Sequence, residues 1–139
     1  MTEPRDDNAP ESHQPRPGEQ SFRDELLRDM SGGECLSLSH IDSIIQYDYS
    51  AEPLSTRQSR VITAVASLLT QGLAVVGEIV GGTGATVDPW KLPTKEALVR
   101  LRELYVTHYD DWHKWGWVVW FALTPEGERL AESLKGDTS

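Results

Sequence analysis

Trp115-Gly116-Trp117-Val118-Val119-Trp120-Phe121-Ala122-Leu123 is the densest aromatic run of this chain, and it leads straight into Thr124-Pro125-Glu126-Gly127-Glu128-Arg129-Leu130-Ala131. Aromatic and β-branched residues suit a pleated, half-buried surface. A threonine able to cap, a proline at the first helical position and an acidic first turn mark the start of a helix. The junction therefore reads as strand, then helix. Within 117–123, Trp117, Val119, Phe121 and Leu123 face one way, and Val118, Trp120 and Ala122 the other. Both faces are apolar, so the strand is expected inside its sheet or with its outer face covered. The last helix carries Leu130, Ala131 and Leu134 inward and frays after Lys135.

The rest of the chain supplies helices at the right period. Residues 22–30 place Phe22, Leu26, Leu27 and Met30 on one side, and Ser31-Gly32-Gly33 breaks the run. Ser39 is the expected cap of a second helix bearing Ile41, Ile44 and Ile45, which Pro53 ends. The clearest helix opens at Ser55-Thr56-Arg57-Gln58, which has the form of a capping box. Val61, Ile62, Val65, Leu68 and Leu69 form its apolar stripe, and Gly72 suits the left-handed position past its end. A β-rich run follows over 73–80. Thr94 is the expected cap of a further helix with Leu98, Leu101, Leu104 and Tyr105 on its buried face. Residues 105–109 fit either a continued helix or a strand.

Composition separates a tail from a domain. Residues 1–20 contain no Leu, Ile, Val or aromatic side chain and are rich in Pro, Glu and Asp, which predicts a disordered tail. Residues 21–135 are then the folded domain and 136–139 a frayed end. The net charge is -9: residues 1–35 hold nine acidic and four basic side chains, leaving the domain only mildly acidic. An acidic chain is repelled by phosphate backbones and anionic lipid, which favours a protein partner over DNA and over a membrane. Cys35 is the single cysteine, which excludes an internal disulfide and fits a reducing cytoplasm.

Chemistry-bearing motifs are sparse. Gly81-Gly82-Thr83-Gly84 follows a strand but lacks the lysine and the helix that a phosphate-binding loop needs. His108, Asp110, Asp111 and His113 are the one group of candidate metal ligands, at a spacing that converges poorly, so no metal and no cofactor are expected. Cys35 beside Glu34 gains no thiolate stabilisation. No catalytic set emerges, and a non-enzyme is expected. Trp112 and Trp115, with Asp110 and Asp111 beside them, are hard to bury together and are the candidate protein interface, since exposed tryptophans concentrate binding energy. Arg57, Gln58 and Arg60 open the strongest helix with side chains suited to base edges and phosphates, which makes DNA the alternative partner.

Two stretches resemble winged-helix proteins of the MarR/PadR type. Leu68-Leu69-Thr70-Gln71-Gly72-Leu73-Ala74-Val75 is similar to the family's recognition helix running into the first wing strand, and Leu123-Thr124-Pro125-Glu126-Gly127-Glu128-Arg129-Leu130 to the exit of the second. The resemblance covers about residues 36–135. It implies an α+β, winged-helix-like single domain whose small antiparallel sheet joins 73–80 to 117–123, with a helical insertion between those wing strands. It departs from the family in the length of that insertion and in the absence of Arg and Lys from Leu73 through Trp90. The expectation is a non-catalytic protein-binding module, regulatory or toxin-neutralising in the manner of immunity proteins. The alternative is a DNA-binding regulator using the helix that starts at Ser55.

Overall fold

The computed structural model describes residues 17–81 and 85–138. Helix α1 (Pro17–Met30) turns Phe22, Leu26, Leu27 and Met30 inward. It ends at Gly32 and Gly33, both at positive φ, whose amides donate to the Glu128 carboxylate at 3.0 Å each. The helix already runs through 17–20, so the boundary expected at 20 moves back to 17; the remainder of the expected tail lies outside the described residues.

Strand β1 (Leu36–Ser37) passes directly into α2 (Leu38–Asp48). Ser37, not Ser39, caps α2: its hydroxyl accepts from the His40 amide at 3.1 Å, whereas Ser39 lies within the first turn. The helix also stops at Asp48, ahead of Pro53. Helix α3 (Leu54–Thr70) follows. Its expected apolar stripe of Val61, Ile62, Val65, Leu68 and Leu69 is buried throughout. The expected capping box does not form: Pro53 occupies the N-cap with no side-chain bond, and Gln58 turns inward instead. At the other end Gly72 has φ +70, with Leu73 N–H donating to Leu68 C=O and Gly72 N–H to Leu69 C=O. That paired closure satisfies two of the helix's last carbonyls.

Strand β2 (Ala74–Val80) pairs antiparallel with β3 (Thr86–Pro89), a strand the sequence reading did not anticipate. Helix α4 (Thr94–Arg102) starts at Thr94 itself, with Pro93 as N-cap. It widens into a π-helical turn (Glu103–Thr107), so the open question over 105–109 resolves as helix through Thr107. A short 3-10 turn (Trp112–Lys114) leads to β4 (Trp120–Leu123) and α5 (Pro125–Thr138). The final strand begins at Trp120 rather than 117, and α5 continues past Lys135 to Thr138.

The antiparallel sheet has the order β1–β4–β2–β3. Strand β4 is therefore interior, as its two apolar faces required. Its pairing with β2 joins the two runs expected to meet, with Val76 opposite Phe121 and Ala74 opposite Leu123. The π turn and α4 form the helical insertion between β3 and β4. Leu36, Phe121 and Val76 share one row of the sheet and are buried in the core with side chains of α1 and α3. The protein is an α+β single domain.

Candidate functional site

One buried carboxylate is a focus of the contacts between the insertion and the body of the domain. Asp42, on α2, is buried at 5% exposure. It accepts hydrogen bonds from Tyr105 Oη at 2.5 Å, Tyr109 Oη at 2.9 Å and Gln46 Nε2 at 2.6 Å. The π turn carries Tyr105, and the turn that follows it carries Tyr109, so both phenols reach the Asp42 carboxylate on α2. Trp115 completes the cluster: its ring stacks on Tyr109 at 5.3 Å and meets Tyr105 edge-on at 5.1 Å, and its Nε1 donates to the Tyr109 carbonyl at 3.0 Å. Aromatic pairs in these geometries add stability beyond the area they bury.

Burial and the Asp42 charge push both phenols upward, Tyr109 to about 12 and Tyr105 further, while the Arg57 charge acts weakly in the opposite sense. Both remain protonated donors across ordinary pH. The three bonds occupy the Asp42 carboxylate, so this arrangement clamps the insertion and offers no free base. Gln58 joins it from α3: it is 6% exposed, and its Nε2 donates to the Tyr105 carbonyl at 3.2 Å.

Trp115 is thus a core residue at 2% exposure, which corrects its expected place in an interface. Trp117, expected inside the strand, is 56% exposed. The two exchange roles because residues 112–118 turn rather than extend, so the alternation of β4 does not reach back to Trp117. Gly116 was the available signal, as a glycine interrupting the aromatic run. A β-carbon there would lie 2.4 Å from the Trp112 ring, so a larger residue would displace that indole. The Gly116 carbonyl also accepts from the Ser39 amide at 3.1 Å, tying this turn to the start of α2.

Beside the clamp lies a row of tryptophans. Trp112, 40% exposed, meets Trp117 edge-on at 5.8 Å, and Trp117 meets Trp120 at 6.0 Å. Trp120 Nε1 donates to the Trp117 carbonyl at 2.9 Å, and Val118 is 41% exposed next to them. Asp110 and Asp111 are exposed immediately before Trp112, with Lys114 Nζ 4.0 Å from Asp111. The structure therefore brings Asp110, Asp111 and Trp112 to one surface and adds Trp117 and Trp120 in place of Trp115.

The candidate DNA residues are turned toward protein. Arg60 forms a two-bond fork with the Glu52 carboxylate at 2.6 and 2.8 Å, its guanidinium 4.2 Å from the Tyr49 ring centroid. Arg57 donates to the Glu52 carbonyl at 2.9 Å. Gln58 is not on a solvent-facing first turn, since Tyr105 covers it. The exposed residues that follow on α3, Ser59, Thr63 and Thr70, are uncharged.

Among the described residues no three His, Cys, Asp or Glu side chains are arranged to hold a metal ion. His108 instead lies 3.2 Å from Glu103. The Cys35 thiol is pushed up by burial and by the Glu34 charge, opposite to what a nucleophile needs. No described helix is long and apolar enough to cross a membrane. Comparison with protein-family models, with curated proteins and with solved structures gives no match.

Proposed function

We propose that this chain is a non-catalytic protein-binding module that engages its partner through the row Trp112–Trp117–Trp120, in which Trp112 and Trp117 are exposed and Trp120 is half-buried, with Asp110 and Asp111 on the rim. The observation that carries the reading is the pairing of exposed rings with a rigid base. Large aromatic side chains held in place lose little entropy on binding and make effective anchors. The Asp42 clamp and the Gly116 turn hold them so. An acidic chain with an acidic rim suits a basic partner, which fits a regulatory or toxin-neutralising role in the cytoplasm.

The winged-helix resemblance is supported by the pairing of β2 with β4, the strands it equates with the wing, and by the entry of α3 into β2 through Gly72. A DNA-binding use of that scaffold is disfavoured by the engagement of Arg57, Gln58 and Arg60 within the protein. The test is affinity capture with the full chain and with the Trp112→Ala, Trp117→Ala double variant, followed by a direct affinity measurement on what is retained. A protein bound by the parent and lost by the variant supports the reading. Capture of duplex DNA that depends on Arg57 and ignores both tryptophans overturns it.

A further inference from the structure

The tryptophan row ends in a groove of about 350 Å³ lined by Gly33, Glu34, Cys35, Ile79, Ala85 and Trp120. One wall is the Trp120 indole, whose own N–H is already spent on the Trp117 carbonyl, so the ring brings an apolar π surface and no free donor to the groove. The opposite chemistry comes from Glu34. It is exposed, and its carboxylate makes no hydrogen bond or ion pair among the described residues. Its backbone is nevertheless fixed: its amide donates to the Met30 carbonyl at 3.2 Å, and the two preceding glycine amides are gripped by Glu128.

We infer that the groove between Glu34 and Trp120 receives an arginine side chain presented by the protein partner. A guanidinium is planar and weakly hydrated; it stacks on an indole face while its N–H fork meets a carboxylate with two parallel bonds. An ammonium can take the charge but neither the stack nor the fork. The groove is large enough for the whole side chain, and the net charge of -9 draws a basic segment toward it. This inference rests on the protein-binding reading and narrows the partner to one bearing an exposed arginine beside apolar contacts for Trp112 and Trp117.

The test uses the ¹⁵N-labelled full chain, whose tryptophan indole N–H signals are followed during titration with the blocked peptide Gly-Gly-Arg-Gly-Gly. Counterparts carrying lysine or norleucine at the centre serve as controls, and Trp120→Phe assigns the Trp120 signal. The arginine peptide is expected to shift the Trp120 signal saturably and the norleucine peptide to leave it in place. The lysine peptide should bind more weakly. Glu34→Gln, at an exposed position that leaves the thermal midpoint unchanged, should raise the half-saturation concentration by about fivefold or more. Equal shifts with norleucine or lysine, an unmoved Trp120 signal, or an unchanged titration in Glu34→Gln overturns the inference. The peptide reports on the groove alone and the captured protein on Trp112 and Trp117, so either can fail while the other stands.

Discussion

A β-carbon on Gly127 would lie 2.0 Å from the carbonyl oxygen of Leu73, so the first turn of α5 rests backbone to backbone on the head of β2. Thr124 makes the same junction from the side. Its hydroxyl donates to the Gly72 carbonyl at 2.6 Å and accepts from the Gly127 amide at 3.1 Å, and its own amide donates to Leu73 at 3.0 Å. Gly127→Ala should therefore destabilise the fold by about 1–3 kcal/mol, because helix α5 must move away and the better helix propensity of alanine is the smaller effect. Denaturant unfolding checks this. An alanine variant as stable as the parent would mean that α5 sits higher on the sheet.

Trp115→Ala and Trp117→Ala should separate cleanly in stability. Trp115 is buried on two tyrosine rings, so its loss should cost about 3–5 kcal/mol. Trp117, more than half exposed, should cost under about 1 kcal/mol. Thermal midpoints of the two variants decide it, and equal losses would show that residue 117 packs into the core.

Leu68 is 1% exposed in the stripe of α3, so Leu68→Ala should lower the unfolding free energy by about 2–5 kcal/mol. A smaller change in the denaturant midpoint would indicate that neighbouring side chains collapse into the space.

Asp42→Ala removes the shared acceptor of two phenols, one of them fully buried. The loss should be about 2–5 kcal/mol, since each orphaned donor keeps its desolvation cost. Tyr109 should then titrate below its present value of about 12, because the Asp42 charge that raises it is gone. Ultraviolet titration of the phenolates measures the shift.

Glu25 gives the chain a pH dependence of definite sign. Partial burial and the neighbouring Asp48 raise its carboxyl from 4.5 to about 7. The native state thus holds a proton that the unfolded chain releases, and stability from this group is complete below about pH 4.5. It falls as pH rises through 7. Glu25→Gln should flatten the thermal midpoint over that window, and a midpoint that climbs with pH in the parent and levels in the variant would reverse the assignment.

Where local chemistry decides structure, the sequence was readable. The α3 stripe, the left-handed Gly72 and the Thr124 cap follow from residue type and period alone, whereas the pairing of β2 with β4 was expected only from the family resemblance. Tertiary partners decided the rest. Gln58 has a local role open to it in a capping box, but the Tyr105 carbonyl, 47 positions away, takes its amide. Trp115 and Trp117 differ by nothing local, and Gly116 between them, crossed by the Trp112 ring, sets which one turns inward. Thr86–Pro89 carries too little apolar pattern to announce a strand and is one because β2 is beside it. For the candidate surface this meant that Trp112, Asp110 and Asp111 are exposed where exposure was expected, whereas Trp117, expected inside the strand, is exposed beside them.

The grip of Glu128 on Gly32 and Gly33 spans 96 and 95 positions of chain. A nascent polypeptide therefore displays the oily side of α1 (Phe22, Leu26, Leu27 and Met30) long before the carboxylate that fastens its end has been synthesised. Closure of such distant segments is slow, and apolar surface left waiting invites association with other chains. Ribosome-bound chains from which Glu128 has not yet emerged should accordingly be clients of holding chaperones, and release from them should coincide with the appearance of α5.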